Sequence, residues 1–185
     1  SKFLKEDKDK FVKTLIYKVD NILYACLVSG DREINETKLR KLLNGKTIEL
    51  ASLEEVEKVT NAKVGFAGPI GLDIKIVIDN DILYKYNYIV GANKTDYHYK
   101  NVNTSDFKYD YVGDIKNVKE FDICPKCGKK LYFKHGIEIG NTFKLGTKYS
   151  KDLNLNYLDE NNELKPVVMG CYGIGLGRIM SSIIE

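Results

Sequence analysis

The sequence has no tryptophan, three prolines and only three arginines, and what it lacks excludes several classes of protein. No apolar run approaches the roughly 18 residues that cross a bilayer, so we expect no membrane partner. Residues 1–7 lack both an initiator methionine and the apolar stretch of a signal peptide. We therefore expect the chain to be a fragment of a longer protein.

The basic charge is weak and dispersed. The formal net charge is +3, and 26 of the 29 basic residues are lysines. This pattern is more typical of a solvated surface than of a nucleic-acid-binding stripe. Charge alone permits an RNA partner without indicating one.

The four cysteines do not form the pattern of a secreted disulfide framework, and a reducing cytoplasm is the expected location. Cys26 lies in an apolar run typical of a buried strand. Cys124 and Cys127 have the spacing of a zinc knuckle, but a structural zinc needs four ligands. His135 is the nearest third candidate and Cys171 is distant in sequence, so we expect this knuckle to be empty or only partly occupied.

The pattern of apolar residues predicts an α+β unit over residues of about 10 to 120. After Phe121 the sequence becomes dense in glycine, so we predict two domains, 1–120 and 121–185. Ser52 and Glu55 have the spacing of a helix capping box. The elements predicted are strands at 12–19, 21–28, 47–50, 74–79, 82–84, 97–99 and 109–112, and helices from Asn35 and after Ser52.

The strongest chemical signal lies at residues 170–178, which read GCYGIGLGR. From Gly173 to Gly177 glycine recurs at every second position, which is typical of a strand that another group approaches closely. Arg178 follows where a helix can begin, and its guanidinium suits a phosphate. The alternative is a glycine-rich strand that only packs tightly.

This segment resembles motif 3 of class II aminoacyl-tRNA synthetases, and residues 169–175 are similar to prolyl-tRNA synthetases in particular. Residues 136–150 resemble the segment before motif 3 in the same enzymes, and residues 158–161 fit the turn between them. We therefore predict that residues 136–149 and 165–178 pair as antiparallel strands. The sequence departs from many members of the family at Asn141 and Lys144.

The resemblance implies part of an ATP and proline site. For the full enzyme, the resemblance implies that proline, tRNA(Pro) and ATP, bound with Mg²⁺, are the substrates. It also implies that the full enzyme is a homodimer. Motifs 1 and 2 and an anticodon-binding domain are not in this sequence. The implied ATP- or proline-binding residues are Glu138, Cys171, Gly173 and Arg178.

Residues of about 10 to 120 resemble, in order and spacing, the editing domain that bacterial-type prolyl-tRNA synthetases carry between motifs 2 and 3. That domain hydrolyses alanine wrongly attached to tRNA(Pro). The resemblance implies a mixed, barrel-like sheet and no cofactor for editing. The implied catalytic residues are Lys13, Asp79 and His98, and the implied substrate-binding residues are Gly65, Gly68 and Pro69 of the 65–69 loop (GFAGP), with residues 91–93 nearby.

Each of these residues also has a plainer interpretation. Lys13 can hold a phosphate or hydroxyl of the tRNA end, but it is one of 26 lysines. His98 can orient a water molecule or pack between tyrosines. The 65–69 loop can offer N–H groups to a carbonyl oxygen or be an ordinary turn, and Asp79 can cap a turn.

Ester hydrolysis needs a positioned water and stabilisation of an oxyanion. The sequence shows neither a pair of carboxylates nor a Ser-His-Asp order that would require a covalent nucleophile. Pocket size would admit the alanine methyl group and exclude the proline ring. The alternatives are a free-standing aminoacyl-tRNA deacylase, which has no use for residues 136–178, and a zinc-ribbon nucleic-acid-binding module, which the single cysteine pair does not favour.

Overall fold

The computed structural model describes residues 6–185, which fall into two compact units that divide between Asp122 and Ile123. Among the residues described, no helix is long and apolar enough to cross a membrane.

The first unit is built on a five-stranded mixed sheet with strand order β3-β1-β2-β4-β7. β1 is antiparallel to β2 and β3, whereas β2–β4 and β4–β7 are parallel pairs. β5 and β6 form a separate antiparallel hairpin. The strands are β1 Val12–Val19, β2 Ile22–Ser29, β3 Ile48–Leu50, β4 Lys75–Asp79, β5 Tyr88–Gly91, β6 His98–Val102 and β7 Tyr111–Gly113.

The outer edge of β1 is shared between two partners. Its last residues, from Tyr17 to Val19, pair with β3. At its other end Phe11 forms a parallel bridge to Ile89 of β5. Between these pairings, residues 12–16 of β1 pair on this edge with no strand among residues 6–185, and a pocket opens there.

Helices cover both faces of the sheet. α1, Glu36–Leu42, begins after Asn35, whose side chain accepts a hydrogen bond from Lys38 N. α2, Leu53–Thr60, begins with the predicted capping box of Ser52 and Glu55. One core cluster includes Val12, Ile16, Leu27, Val56 and Ile78, and the other includes Tyr17, Cys26, Val28, Leu39 and Val77.

The predicted α+β class and mixed sheet are confirmed, but the strand predicted at residues 82–84 is wrong. Residues Asn80–Tyr84 form a 3₁₀ helix instead. The carboxylate of Asp79 accepts a hydrogen bond from Asp81 N, and this cap turns the chain before an extended strand can continue.

The second unit contains two antiparallel strand pairs. β8 pairs with β11, and β9 pairs with β10 across a turn in which Asp159 accepts from Asn161 N and Glu163 N. The predicted pairing of the segment before motif 3 with the motif itself is therefore confirmed. The elements are β8 Gly140–Gly146, α3 Lys148–Asp152, β9 Asn156–Leu158, β10 Leu164–Pro166, β11 Met169–Ile174 and α4 Leu176–Ile184.

The second unit has little core of its own. Of its residues, all within the described range, only Ser150 is buried. Large apolar side chains such as Phe143, Ile174, Leu176 and Ile183 are exposed. Burial of such residues is the main stabilising contribution in folded domains, so this unit has the character of a piece of a larger fold.

Candidate functional site

A pocket of about 490 Å³ opens at the unpaired edge of β1. Three of the predicted site residues, Lys13, Gly65 and His98, line it together with Gly91. Gly68 and Pro69 are buried in the same loop as Gly65. The remaining lining residues are Lys8, Phe11, Val12, Thr14, Leu15, Ile16, Gly30, Leu50, Ala51, Leu53, Val56, Val64, Ala67 and Ile89.

Lys13 supplies positive charge to this pocket. Its Nζ donates a hydrogen bond to Glu33 Oε1 at 2.8 Å, and its side chain is 29% exposed while that of Glu33 is 73% exposed. An ion pair with so exposed a carboxylate contributes little free energy and exchanges readily with solvent. Lys13 is therefore available to an anionic ligand. Lys8 is exposed at the same pocket.

His98 begins β6 and lies opposite Gly91 of β5. Its ring contacts that of Phe66 edge to face, with centroids 5.6 Å apart and an interplanar angle of 65°. Partial burial lowers the pKa of His98 because desolvation disfavours the charged imidazolium. The lowered pKa favours the neutral imidazole at pH 7, in which one nitrogen atom donates and the other accepts a hydrogen bond.

Asn93 fastens the 65–69 loop to the residues after β5. Its Oδ1 accepts from Gly68 N at 2.8 Å, and its Nδ2 donates to Gly68 O at 3.0 Å and Ile70 O at 2.9 Å. Its own N–H donates to Phe66 O at 2.9 Å. The backbones approach so closely that a Cβ on Gly68 would lie 1.7 Å from Gly91 O. The loop is therefore held in one position against β5.

The backbone conformation at position 65 requires glycine. Its φ of +100° lies in a region that residues with a Cβ rarely adopt, while a Cβ there would meet nothing within 4 Å. The loop thus needs glycine at position 65 for its turn and at position 68 for space.

The family of the chain follows from comparison with known proteins. A family model described as "Aminoacyl-tRNA editing domain" matches residues 1–109, more than half of the chain. The chain belongs to this family. The predicted editing domain is therefore confirmed.

Curated relatives extend the match beyond the editing domain. Over 184 residues the chain is 56% identical to the proline–tRNA ligase of Caldicellulosiruptor bescii, covering 99% of this chain and 32% of that protein. It is 56% identical over 188 residues to the proline–tRNA ligase of Thermoanaerobacter sp., covering 99% of this chain and 33% of that protein. The chain thus spans about a third of the length of these relatives. The predicted likeness to a part of the synthetase is confirmed.

Two solved structures share their fold with 63% of this chain. The hypothetical protein APE2540 superposes with a TM-score of 0.56 at 23% identity, covering 63% of this chain and 80% of its own. A candidate trans-editing enzyme for prolyl tRNA synthetase gives 0.55 at 21% identity, covering 63% and 76%. At this identity the likeness concerns the fold alone.

Asp79, a predicted catalytic residue, does not line the pocket of this editing domain. It is 1% exposed, and its Oδ2 accepts from Ile115 N at 2.9 Å and Lys116 N at 3.2 Å. Its Oδ1 accepts from Asp81 N at 3.0 Å. These contacts are those of a structural cap that joins the end of β4 to residues 115–116.

Sequence patterns did not identify the apolar wall of the pocket or Lys8. Lys8 has no distinguishing context among so many lysines. The wall is formed by residues far apart in sequence, whose spacing fits ordinary core positions. Thr14 also lines the pocket, and its buried Oγ1 has no hydrogen-bond partner among the described residues.

In the second unit the residues of the implied ATP and proline site lie on β8, β11 and their flanks. Arg178 Nη1 donates to Glu138 O at 2.9 Å, which joins the first turn of α4 to the residues before β8. Cys171 and Gly173 lie two residues apart on β11, opposite Phe143 and Asn141. A strand turns alternate residues to the same face, so Cys171 and Gly173 share one.

The Cys124–Cys127 knuckle is a tight turn. Gly128 N donates to Cys124 O, and Cys124 N donates to Lys129 O, each at 2.9 Å. Hydrogen bonds from the backbone N–H groups of Cys127 and Lys126 lower the pKa of the Cys124 thiol. Across residues 6–185 no group of three or more metal-ligating side chains is assembled. An empty or partly filled knuckle stays a prediction.

Proposed function

We propose that the pocket at the edge of β1 hydrolyses the ester of alanine wrongly attached to tRNA(Pro). The observation that carries this proposal is that one pocket of an aminoacyl-tRNA editing domain gathers Lys13, Gly65 and His98, which are distant in sequence. The proline–tRNA ligase relatives favour tRNA(Pro) as the RNA.

The chemistry requires no covalent intermediate. Lys13 holds a phosphate or hydroxyl of the terminal nucleotide by its charge and positions the ester. Backbone N–H groups of the 65–69 loop stabilise the oxyanion that forms as water adds to the ester carbonyl. His98, neutral at pH 7, orients that water through a ring nitrogen.

Selection against proline comes from the apolar wall. Ten aliphatic side chains line the pocket beside the polar groups, and we expect this wall to accept a small methyl group and to reject a pyrrolidine ring. One methylene in such a pocket changes binding by about 1–3 kcal/mol, so size alone gives a useful bias. These side chains are Val12, Leu15, Ile16, Leu50, Ala51, Leu53, Val56, Val64, Ala67 and Ile89.

The remaining activity belongs to the longer protein. We propose that Glu138, Cys171, Gly173 and Arg178 form part of a site for ATP and proline, completed by segments outside this sequence. The Arg178 guanidinium keeps further donors beyond its bond to Glu138 O, and these suit a phosphate of Mg²⁺–ATP. The exposed apolar side chains of the second unit support its burial within a larger catalytic domain. A homodimer and a cytoplasmic location stay predictions.

The test compares two lysines of the same strand. Lys13 and Lys18 are 29% and 23% exposed, and each donates to a carboxylate at 2.8 Å, but only Lys13 lines the pocket. We expect Lys13→Ala to reduce deacylation of alanyl-tRNA(Pro) by on the order of 10²-fold at an unchanged melting temperature. Lys18→Ala should keep the rate.

The same assay with prolyl-tRNA(Pro) should give little hydrolysis. Near-normal deacylation by Lys13→Ala would show that the site is assigned wrongly. An unmutated chain without activity should be retested within the full-length enzyme, since RNA binding there can involve the parts absent from this sequence.

A further inference from the structure

A second cavity adjoins the pocket along β5 and β6. It measures about 320 Å³ and shares Ile89 with the pocket. The residues that line it are Glu6, Lys10, Tyr86, Asn87, Ile89, Lys100 and Asn101. We call it the Tyr86 cleft.

The two cavities follow one another along the same elements. Lys8 lines the pocket and Lys10 lines the cleft, and both belong to the 3₁₀ turn Lys8–Lys10. His98 lines the pocket and Lys100 lines the cleft, two residues further along β6. With a rise of about 3.3 Å per residue, these two positions are about 7 Å apart. The two cavities are therefore neighbours on either side of Ile89, in the order that a chain extending from the pocket along β6 would meet them.

The chemistry of the Tyr86 cleft suits a nucleotide. The Tyr86 side chain is 76% exposed, and single-stranded RNA is commonly bound by stacking its bases on such rings. Asn87 and Asn101 carry amides that form no hydrogen bond within the described part of the chain, so they are free to bind a base edge.

Charge in the cleft favours an anion. Lys100 forms no ion pair among residues 6–185, and its ammonium is free for a phosphate. Lys10 contacts Glu6 at 3.1 Å, so the acidic side chain of the cleft is neutralised from within. The balance is one unpaired positive charge beside an aromatic ring and two amides.

We propose that the Tyr86 cleft binds the single-stranded 3′ end of the tRNA, at the nucleotides that precede the terminal adenosine. This inference rests on the proposed function, since it is the aminoacyl ester in the pocket that brings the RNA end to the cleft. Tyr86 stacks on a base, Asn87 and Asn101 contact base edges, and Lys100 contacts a phosphate.

A matched pair of tyrosines tests the cleft. Tyr84 is 79% exposed, two residues before Tyr86, and lines neither cavity. The probe is a fluorescein-labelled CCA trinucleotide, whose affinity is measured by anisotropy. We expect Tyr86→Leu to weaken binding about fivefold or more. Tyr86→Phe should restore it because the ring remains, and Tyr84→Leu should bind normally.

Kinetics give an independent readout. For Tyr86→Leu the loss in kcat/KM should arise through KM and be larger for alanyl-tRNA(Pro) than for 3′-O-alanyl-adenosine 5′-monophosphate, which keeps the terminal nucleotide with its phosphate but lacks the preceding nucleotides. Lys13→Ala should impair both substrates alike. Absence of CCA binding by the unmutated chain, equal binding by Tyr86→Leu, or an equal loss on both substrates would overturn the proposal. Tyr86-dependent CCA binding, with no deacylation by this chain or by the full-length enzyme, would refute the proposed function and leave the proposal for the cleft intact.

Discussion

His98 and His135 are the two histidines of the chain, and their surroundings differ. His135 is exposed, whereas the ring of His98 packs against Phe66 and burial lowers its pKa. The role proposed for His98, orienting water through a ring nitrogen that accepts its proton, requires the neutral imidazole. The packing that desolvates His98 favours this form at pH values where an ordinary histidine begins to take up a proton.

The pH dependence of deacylation should report this. We expect the rate with alanyl-tRNA(Pro) to be constant near pH 7 and to fall only below the ordinary histidine value of about 6.5. His98→Gln should remove this acid limb, and His135→Gln should retain it. The stability of the fold should also decrease towards acid pH. Because the folded pKa is below the unfolded one, the unfolded state binds more protons, and the free energy of unfolding falls as the pH drops through this range.

Discrimination tests His98 separately. We expect His98→Ala to loosen the pocket beside Phe66 and to raise hydrolysis of prolyl-tRNA(Pro) relative to alanyl-tRNA(Pro). The ratio of the two kcat/KM values measures this effect. A ratio equal to that of the unmutated chain would mean that His98 does not shape the pocket.

Substitution of Asp79 distinguishes a structural role of its carboxylate from a catalytic one. Its carboxylate accepts from three backbone N–H groups, and an asparagine would turn an NH₂ group towards some of them. Leaving buried donors unpaired costs about 1–3 kcal/mol each, so Asp79→Asn should lower the melting temperature clearly. Deacylation, measured well below that temperature, should fall only with the folded fraction. A loss of rate at unchanged stability would return Asp79 to the catalytic set.

At the scale of elements, sequence patterns predict the bounds of strand β1 but not its pairing. Its bounds at residues 12–19 follow from its β-branched and apolar residues. Its open edge does not, because it depends on where β3 stops pairing and where Phe11 meets Ile89. The family resemblance predicted Lys13, Gly65 and His98, which line one pocket, whereas composition alone cannot distinguish one lysine among many. The positions of Lys8 and Tyr86, and the hydrogen bonds of Asn93, depend on tertiary contacts that have no local signature.

The Asn93 clamp predicts a local effect on the 65–69 loop. Asn93 and Asn44 both have positive φ, 50° and 53°, so glycine is tolerated by the backbone at either position. Asn93→Gly removes three side-chain hydrogen bonds to Gly68 and Ile70. We expect faster amide hydrogen exchange over residues 65–71 and a lower kcat for deacylation. Asn44→Gly should leave both unchanged. Normal exchange in Asn93→Gly would show that the close packing of Gly68 on Gly91 holds the loop without the clamp.

For the whole molecule, the two units differ in completeness. The first unit buries two apolar clusters on either face of its sheet and holds its pocket within itself. The second exposes most of its apolar residues, and the chain spans about a third of its proline–tRNA ligase relatives. The pocket of the first unit is thus built from residues of that unit alone, and we propose editing rather than ligation as the activity to test in this chain.

The last prediction concerns ligation. Arg178 is proposed to provide one donor group for ATP, but positioning of both reactants accounts for much of the rate in such reactions. Without the residues of motifs 1 and 2, we expect no proline-dependent pyrophosphate exchange above background. The control is Arg178→Ala, which should be indistinguishable from the unmutated chain in exchange and in deacylation. Exchange that depends on proline and is lost in Arg178→Ala would contradict the prediction and show that the second unit assembles a working ATP site by itself.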